Sequence, residues 1–384
     1  MADLNQTEAT PSQPEAIGAD AAEENIFIAS QWQLMWWRFR KHKLALFSVV
    51  VVFLIYMVGV FCEFLSTYGP ETRDQAFAYA PPQRLRFWDE DGFSLRPFVY
   101  QLKGERDPAT RRLMFVEDPT VKLPVKFNVD GEPYNMWGLF PSTKHLMGVE
   151  GEGSTLYLLG TDRLGRDQYS RLVYGTRLST SIGLIGVALS FVIGIALGGI
   201  SGYYGGAIDN IVQRSIEFLR AIPTIPLWMG LSAALPPHWS PVKIYFGITV
   251  ILSLIGWTGL ARVVRGRFLS LRNEDFIMAA RLAGAGEARI IGRHMVPSFL
   301  SHIIASLTLS IPSMILSETS LSFLGLGLRP PAISWGVLLQ EAQNLRSVAL
   351  APWLLMPGLA VVVTVLAFNF TGDGLRDAAD PYSR

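Results

Sequence analysis

The sequence predicts an all-α polytopic membrane protein with six transmembrane helices and a β-containing insert outside the membrane. Three observations predict it. Half of the 384 residues are hydrophobic and only 17% are charged, against roughly 25% charged in a soluble domain. Six apolar stretches approach the about 20 residues a helix needs to cross a bilayer. Basic residues gather in short loops on one side of these stretches, as membrane orientation requires.

Composition also excludes. A net charge of +1 argues against a nucleic-acid partner. The single cysteine, Cys62, lies in an apolar run, so disulfide frameworks and thiolate metal sites are ruled out. Residues 1–37 read as a disordered cytoplasmic tail. They carry Asp3, Glu8, Glu15, Asp20, Glu23 and Glu24 with Pro11 and Pro14, and no Lys or Arg. A secretory n-region is basic, so no cleavable signal is expected.

The expected spans run over about Leu44–Leu65 (within 38–65), Leu178–Tyr203, Ile211–Leu235, Ile244–Leu260, Leu300–Leu316 and Leu350–Phe370. The third is the weakest, with Arg214, Glu217 and Arg220 at its front, and Pro223 and Pro226 to kink it. Arg38, Arg40, Lys41 and Lys43 precede the first span and place the N-terminus in the cytoplasm. Six crossings then put the loop 262–297 and the C-terminal segment 373–384 inside as well. That loop carries Arg262, Arg265, Arg267, Arg272, Arg281, Arg289 and Arg293, in keeping with the same rule.

Residues 66–177 thus form an insert on the far side. Turn signals at Pro81-Pro82, Asp91-Gly92 and Asp130-Gly131 separate short alternating runs such as Val121–Phe127, a β pattern. It serves as either a binding surface or a structural cap. The five-helix core is expected over 178–372. In its first helix Gly186, Ser190, Gly194, Gly198 and Gly202 recur every fourth residue. They share one face and allow another helix to approach closely.

Catalytic chemistry is missing. There is no G-x-x-x-x-G-K-[ST], hence no P-loop. His42, His145, His238, His294 and His302 are scattered, which argues against a metal site. Asp162 and Asp167 faintly suggest a calcium loop, but Arg163 and Arg166 interrupt it. The chain reads as a conduit or scaffold, not an enzyme. Glu318, near membrane depth, either lines a pathway or hydrogen-bonds irregular backbone; an interfacial carboxylate is the plainer alternative.

Between Asp275 and Phe299 the chain predicts two short helices, Phe276–Leu282 and Glu287–His294, joined through Gly284-Ala285-Gly286. Pro297 is placed in the first turn of the fifth span. A compact basic hairpin of this kind fits a groove on another protein or lies on anionic membrane lipid.

The pattern Ala279-Ala280, Gly284 and Val296-Pro297 resembles the EAA signature (EAA, three residues, G, nine residues, I-x-L-P) of permease subunits of binding-protein-dependent ABC importers. Gly160–Asp167, Gly175–Ser179, Gly202–Asp209 and Leu321–Gly327 are similar to its oligopeptide/dipeptide branch. The enlarged insert looks most like the YejE-type permeases for microcin C and peptides. The resemblance implies a type I ABC importer permease in a bacterial inner membrane, both termini cytoplasmic. It implies three partners: a second homologous permease, a cytoplasmic ABC ATPase that binds the ATP, and a periplasmic substrate-binding protein. The chain itself needs no cofactor. Peptides or peptide-like compounds are the implied substrates. The implied ATPase-coupling residues are Ala279, Ala280, Arg281, Gly284, Arg293 and Pro297. Two departures stand out: Met278 occupies the position of the family Glu, and His294 that of the signature Ile. Arg281 or Glu287 is then expected to supply the missing polar contact. The alternative is a receptor or scaffold that binds ligand through the insert and transports nothing.

Overall fold

The computed structural model of the chain describes residues 30–379 apart from 90, 91, 107, 109–112, 152 and 237. Most of the expected tail, residues 1–29, lies outside the described residues, as do 380–384 and Asp91 of the expected Asp91-Gly92 turn. The tail does not extend to residue 37. Helix α1 (Gln31–Lys41) begins at Gln31, because Ser30 and Gln33 form a reciprocal capping box. His42 breaks the backbone, and its Nδ1 accepts from the Ala45 N–H to start α2 (Lys43–Val60).

The insert is β-structured within 86–148. Strands β1 (Arg86–Asp89), β2 (Gly92–Arg106) and β3 (Leu113–Pro124) form an antiparallel sheet; β4 (Lys126–Met136) and β5 (Phe140–Gly148) form a second. Asp130-Gly131 is not a turn. It lies inside β4, where the register with β5 shifts between Asp130 and Tyr134, a bulge rather than a reversal. Val99, Leu123, Val125 and Leu156 are buried together between the sheets and the segment that follows.

Helix α3 spans Gln168–Tyr204, about 55 Å at 1.5 Å per residue. It starts ten residues before the expected end of the insert. Asp167 is its N-cap and accepts from the Ser170 N–H, so the polar stretch 168–177 is the first part of this helix. The third expected span is not one helix. It divides into α4 (Gly206–Ala221) and α5 (Thr224–Ala233). Pro223 forces the preceding residue out of the helical region, and Ile222 has φ −85°, ψ 129°. Then come α6 (Pro241–Leu271), α7 (Asp275–Leu282), α8 (Leu300–Phe323), α9 (Trp335–Glu341) and α10 (Met356–Ala379). Pro297 lies in a separate turn, Val296–Ser298, which Phe299 (φ −128°) divides from α8. Among the described residues, five segments are long and apolar enough to cross a membrane: Lys43–Val60, Gln168–Tyr204, Pro241–Leu271, Ile303–Phe323 and Pro352–Ala379.

The helices share two ends. At one, Gly59 of α2 lies against the Arg177 backbone, and the Arg177 guanidinium grips Glu63 and the Gly59 and Val60 carbonyls. The insert is tied to the same end through Thr67, whose hydroxyl donates to Asp167 and whose N–H donates to Ser170. At the opposite end Gly374 of α10 nests against Ala45 and Phe39, which puts α1 and the close of α10 on one side.

Candidate functional site

Helix α7 and the segment after it make a hairpin at the Tyr204 end of α3. Ala283 closes α7. Gly284 follows at φ +77°, a conformation that costs an L-residue roughly 1–2 kcal/mol. The chain continues as an α-turn (Glu287–Arg289), a π-turn (Ile290–Met295) and Val296–Ser298. One face is buried. Ile277, Ile290 and Met295 pack with Val264 and Phe268 of α6 and Ile303 of α8, and Ala280 and Ala285 border that cluster. The other face is bare: Met278, Ala279, Arg281, Gly284, Arg293 and Pro297 are exposed, and Leu282 at the tip is 88% exposed.

Arg281 and Glu287 do not stand free. The Arg281 guanidinium lies 5.3 Å from the Tyr203 ring centroid, a cation–π distance. The Tyr204 hydroxyl donates to Glu287 Oε2 at 2.6 Å. Nearby, Asp209 at the start of α4 takes a two-pronged contact from Arg265 of α6, both distances 2.5 Å. The hairpin is thus joined to α3, α6 and α8 at once.

The five small residues of α3 meet two helices of this same chain. A Cβ at Gly186 would meet Met314 of α8 at 3.1 Å; at Gly194, Leu260 at 3.0 Å; at Gly202, Phe268 Cβ at 2.6 Å. Gly198 is tightest, 2.4 Å from the Ala261 carbonyl oxygen and 2.8 Å from its Cα. The Ser190 hydroxyl donates to the Ser253 carbonyl at 3.4 Å, and Ser253 donates to the Gly186 carbonyl at 3.0 Å.

Glu318 lies inside α8, not beyond its end, and is fully buried. Its Oε1 accepts from Ser322 (2.7 Å) and from Ser334 (2.8 Å), the N-cap of α9. The neighbouring Trp335 N–H donates to Ser179 of α3. Glu318 therefore pins the start of α9 to α8.

Two features escaped the sequence reading. Ser306, Ser310, Ser313, Ser317 and Ser320 recur along α8 at alternating spacings of four and three, and Ser310, Ser313 and Ser320 are exposed. Ser310, Ser313 and Ser317 border a cavity of about 340 Å³ with Ser190, Thr224 and Trp228. The spacing was present in the sequence, but serine is ambiguous in a membrane helix. The second feature is an ionic knot at the insert end. Asp162 Oδ2 accepts from Arg166 (2.7 Å) and Arg171 (2.9 Å), while Arg166 also reaches Glu341 (3.0 Å) and Glu71 (3.5 Å). Asp162 is thereby committed to two guanidiniums, and no cluster of three metal-ligating side chains occurs among the described residues. Burial pushes the Glu341 carboxyl up to about 7 and that of Asp167 up to about 6.

Comparison with known proteins gives two family matches. Residues 194–384 match the binding-protein-dependent transport system inner membrane component, and residues 30–82 match the N-terminal TM domain of oligopeptide transport permease C. A dipeptide transport system permease of Bacillus subtilis (DppC) is 39% identical over 227 residues, 59% of this chain and 68% of that protein. The oligopeptide transport system permease OppC of the same organism is 36% identical over 244 residues, 63% and 77% of the two chains. A putative peptide permease of Brucella suis is 38% identical over 251 residues, 65% and 81%. Among solved structures, the MetNI methionine ABC transporter in an inward-facing form aligns with a TM-score of 0.44 at 19% identity, over 54% of this chain and 96% of that one.

Proposed function

The chain belongs to the family of binding-protein-dependent transport system inner membrane components, and on that premise we propose that it is the permease subunit of an ABC importer of peptides. A second homologous permease completes the pathway, a cytoplasmic ATPase hydrolyses ATP, and a periplasmic binding protein delivers the cargo. Peptides are the cargo named for the three relatives above. Peptide-like antibiotics of the microcin C type fall within the same class. The hairpin end and both termini face the cytoplasm, and the insert faces the periplasm.

The observation that carries this reading is the hairpin 275–298. Its buried face is fixed to α6 and α8, while its tip offers Leu282, Met278 and small residues to solvent. Such a tip suits a groove on the ATPase, and a push there moves whole helices rather than a loop. Alternating access needs two discrete packings, and rigid attachment is what passes a domain rotation to the pathway. Support for the pathway itself comes from the serine face of α8 with Thr224 and Trp228. Ser310 and Ser317 donate to the Ser306 and Ser313 carbonyls of their own helix, which keeps their hydroxyl oxygens able to accept from a cargo at the cavity.

The test places a single cysteine at Ala283, in a Cys62→Ser background, for cross-linking in native membranes. Capture of a nucleotide-binding subunit, in a yield that changes with ATP, is expected. Capture of lipid alone by a folded chain would make the hairpin a membrane-surface element and remove the importer mechanism built on it.

A further inference from the structure

We propose that the turn between β4 and β5, Trp137-Gly138-Leu139-Phe140, is a lipid-facing anchor that seats the insert in the interfacial layer of the bilayer. Its height is set by α2. That helix has 18 residues, about 27 Å, against a hydrocarbon core of about 30 Å. Basic Arg38, Arg40, Lys41 and Lys43 mark one interface, so Val60 lies at the other. The turn is bonded to that level. Trp137 donates its indole N–H to the Val60 carbonyl at 2.7 Å and its backbone N–H to Glu63 Oε1 at 3.3 Å. Its ring lies 6.1 Å from that of Phe61.

At this height the turn presents apolar surface outward. Trp137 is 48% exposed, Leu139 74% and Phe140 59%, with the Trp137 and Phe140 rings 6.2 Å apart. The patch continues the exposed apolar face of α2, formed by Phe47, Val50, Leu54 and Phe61. A water-facing turn of this composition is unfavourable, whereas Trp is enriched at the level of the headgroups. The backbone is also committed to the pose. Trp137 has φ +54°, uncommon for a bulky residue, and such strain persists where surrounding contacts fix it. The exposed Trp32, Trp36 and Trp37 of α1 flank the other end of α2, so aromatic residues bracket the helix at both interfaces. The occupant is lipid, because the patch extends a helix face whose only exposed side chains are apolar over the whole thickness of the core.

The test uses the full chain, purified with the subunits that accompany it and placed in lipid nanodiscs. A nitroxide is attached at Leu139→Cys in a Cys62→Ser background. Its collisions with oxygen are expected to exceed those with a water-soluble nickel chelate, as at a Phe53→Cys control on α2 and opposite to a Glu105→Cys control on β2. Nickel access equal to that at 105 would place the turn in water and overturn the proposal. Exclusion of both quenchers would place it against protein and overturn it equally. Phe140→Cys provides a second position should Leu139→Cys fail to assemble.

Discussion

At the scale of single residues, Gly198 is the position where the sequence allows the least choice. In the sequence it is one of five small residues at intervals of four, and nothing ranks it above the others. The structure does, because its partner is backbone. A Cβ would stand 2.4 Å from the Ala261 carbonyl oxygen, and backbone cannot rotate away as the Met314 side chain facing Gly186 can. Gly198→Ala should therefore destabilise the protein, by about the 1–3 kcal/mol typical of overpacking. Gly259→Ala, on α6 with nothing within 4 Å of the added methyl, should be neutral or gain roughly 0.5–1 kcal/mol from helix propensity. Melting temperatures of the two purified variants decide the matter. Equal values would mean that α3 and α6 separate easily, and the close approach would lose its structural weight.

At the scale of elements, what could be read locally was read, and what depends on distant partners was not. Long apolar runs announce α2, α3, α6, α8 and α10, because membrane thickness imposes a length that sequence displays. Pro223 was visible too, but whether a proline bends a helix or ends it depends on neighbours. Asp130-Gly131 has the composition of a turn, yet cross-strand pairing with β5 made it a bulge. The hairpin's outline was visible from Gly284 and Pro297, but the engagement of Arg281 and Glu287 with Tyr203 and Tyr204 was not. Least visible was the ionic knot, since Arg166 and Glu341 are 175 positions apart. The knot joins the 160–167 loop, the start of α3 and α9, and it carries a pH dependence. Burial, with Asp162 nearby and against the pull of Arg166 and Arg163, raises the Glu341 carboxyl from 4.5 to about 7. The folded state then holds a proton that the unfolded chain has released, so stability falls as pH rises from about 4.5 to about 7 and is flat above. Glu341→Gln should remove that part of the slope in a plot of melting temperature against pH. A slope of the same sign should remain at lower pH, since burial also raises Asp167 from 3.8 to about 6. Unchanged slopes in the variant would show that Glu341 titrates as it does in water.

At the scale of the whole molecule, the number of crossings decides what faces what. Among the described residues five helices meet the length and apolarity needed to span, and five crossings would put the chain's two ends on opposite sides. Yet Gly374 of α10 touches Ala45 and Phe39, so the first and last helices come together on one side, and an even number of crossings is required. We expect the pair α4 and α5 to supply it. Asp209 at the start of α4 pairs with Arg265 near the hairpin end of α6, whereas Leu235 and Trp239, beyond α5, lie against Gly247 near the opposite end of the same helix. The two short helices therefore run the length of α6, and the irregular backbone at Ile222-Pro223 is tolerable at depth where neighbouring protein lines it. A topology reporter active only outside the cytoplasm should be silent when fused after residue 379 and active when fused at His238. Activity at both positions would require an even number of crossings after α5, and silence at His238 with activity after residue 379 would leave α4 and α5 on the cytoplasmic surface. Either result would break the geometric argument and, with it, the assignment of the hairpin 275–298 to the ATPase side.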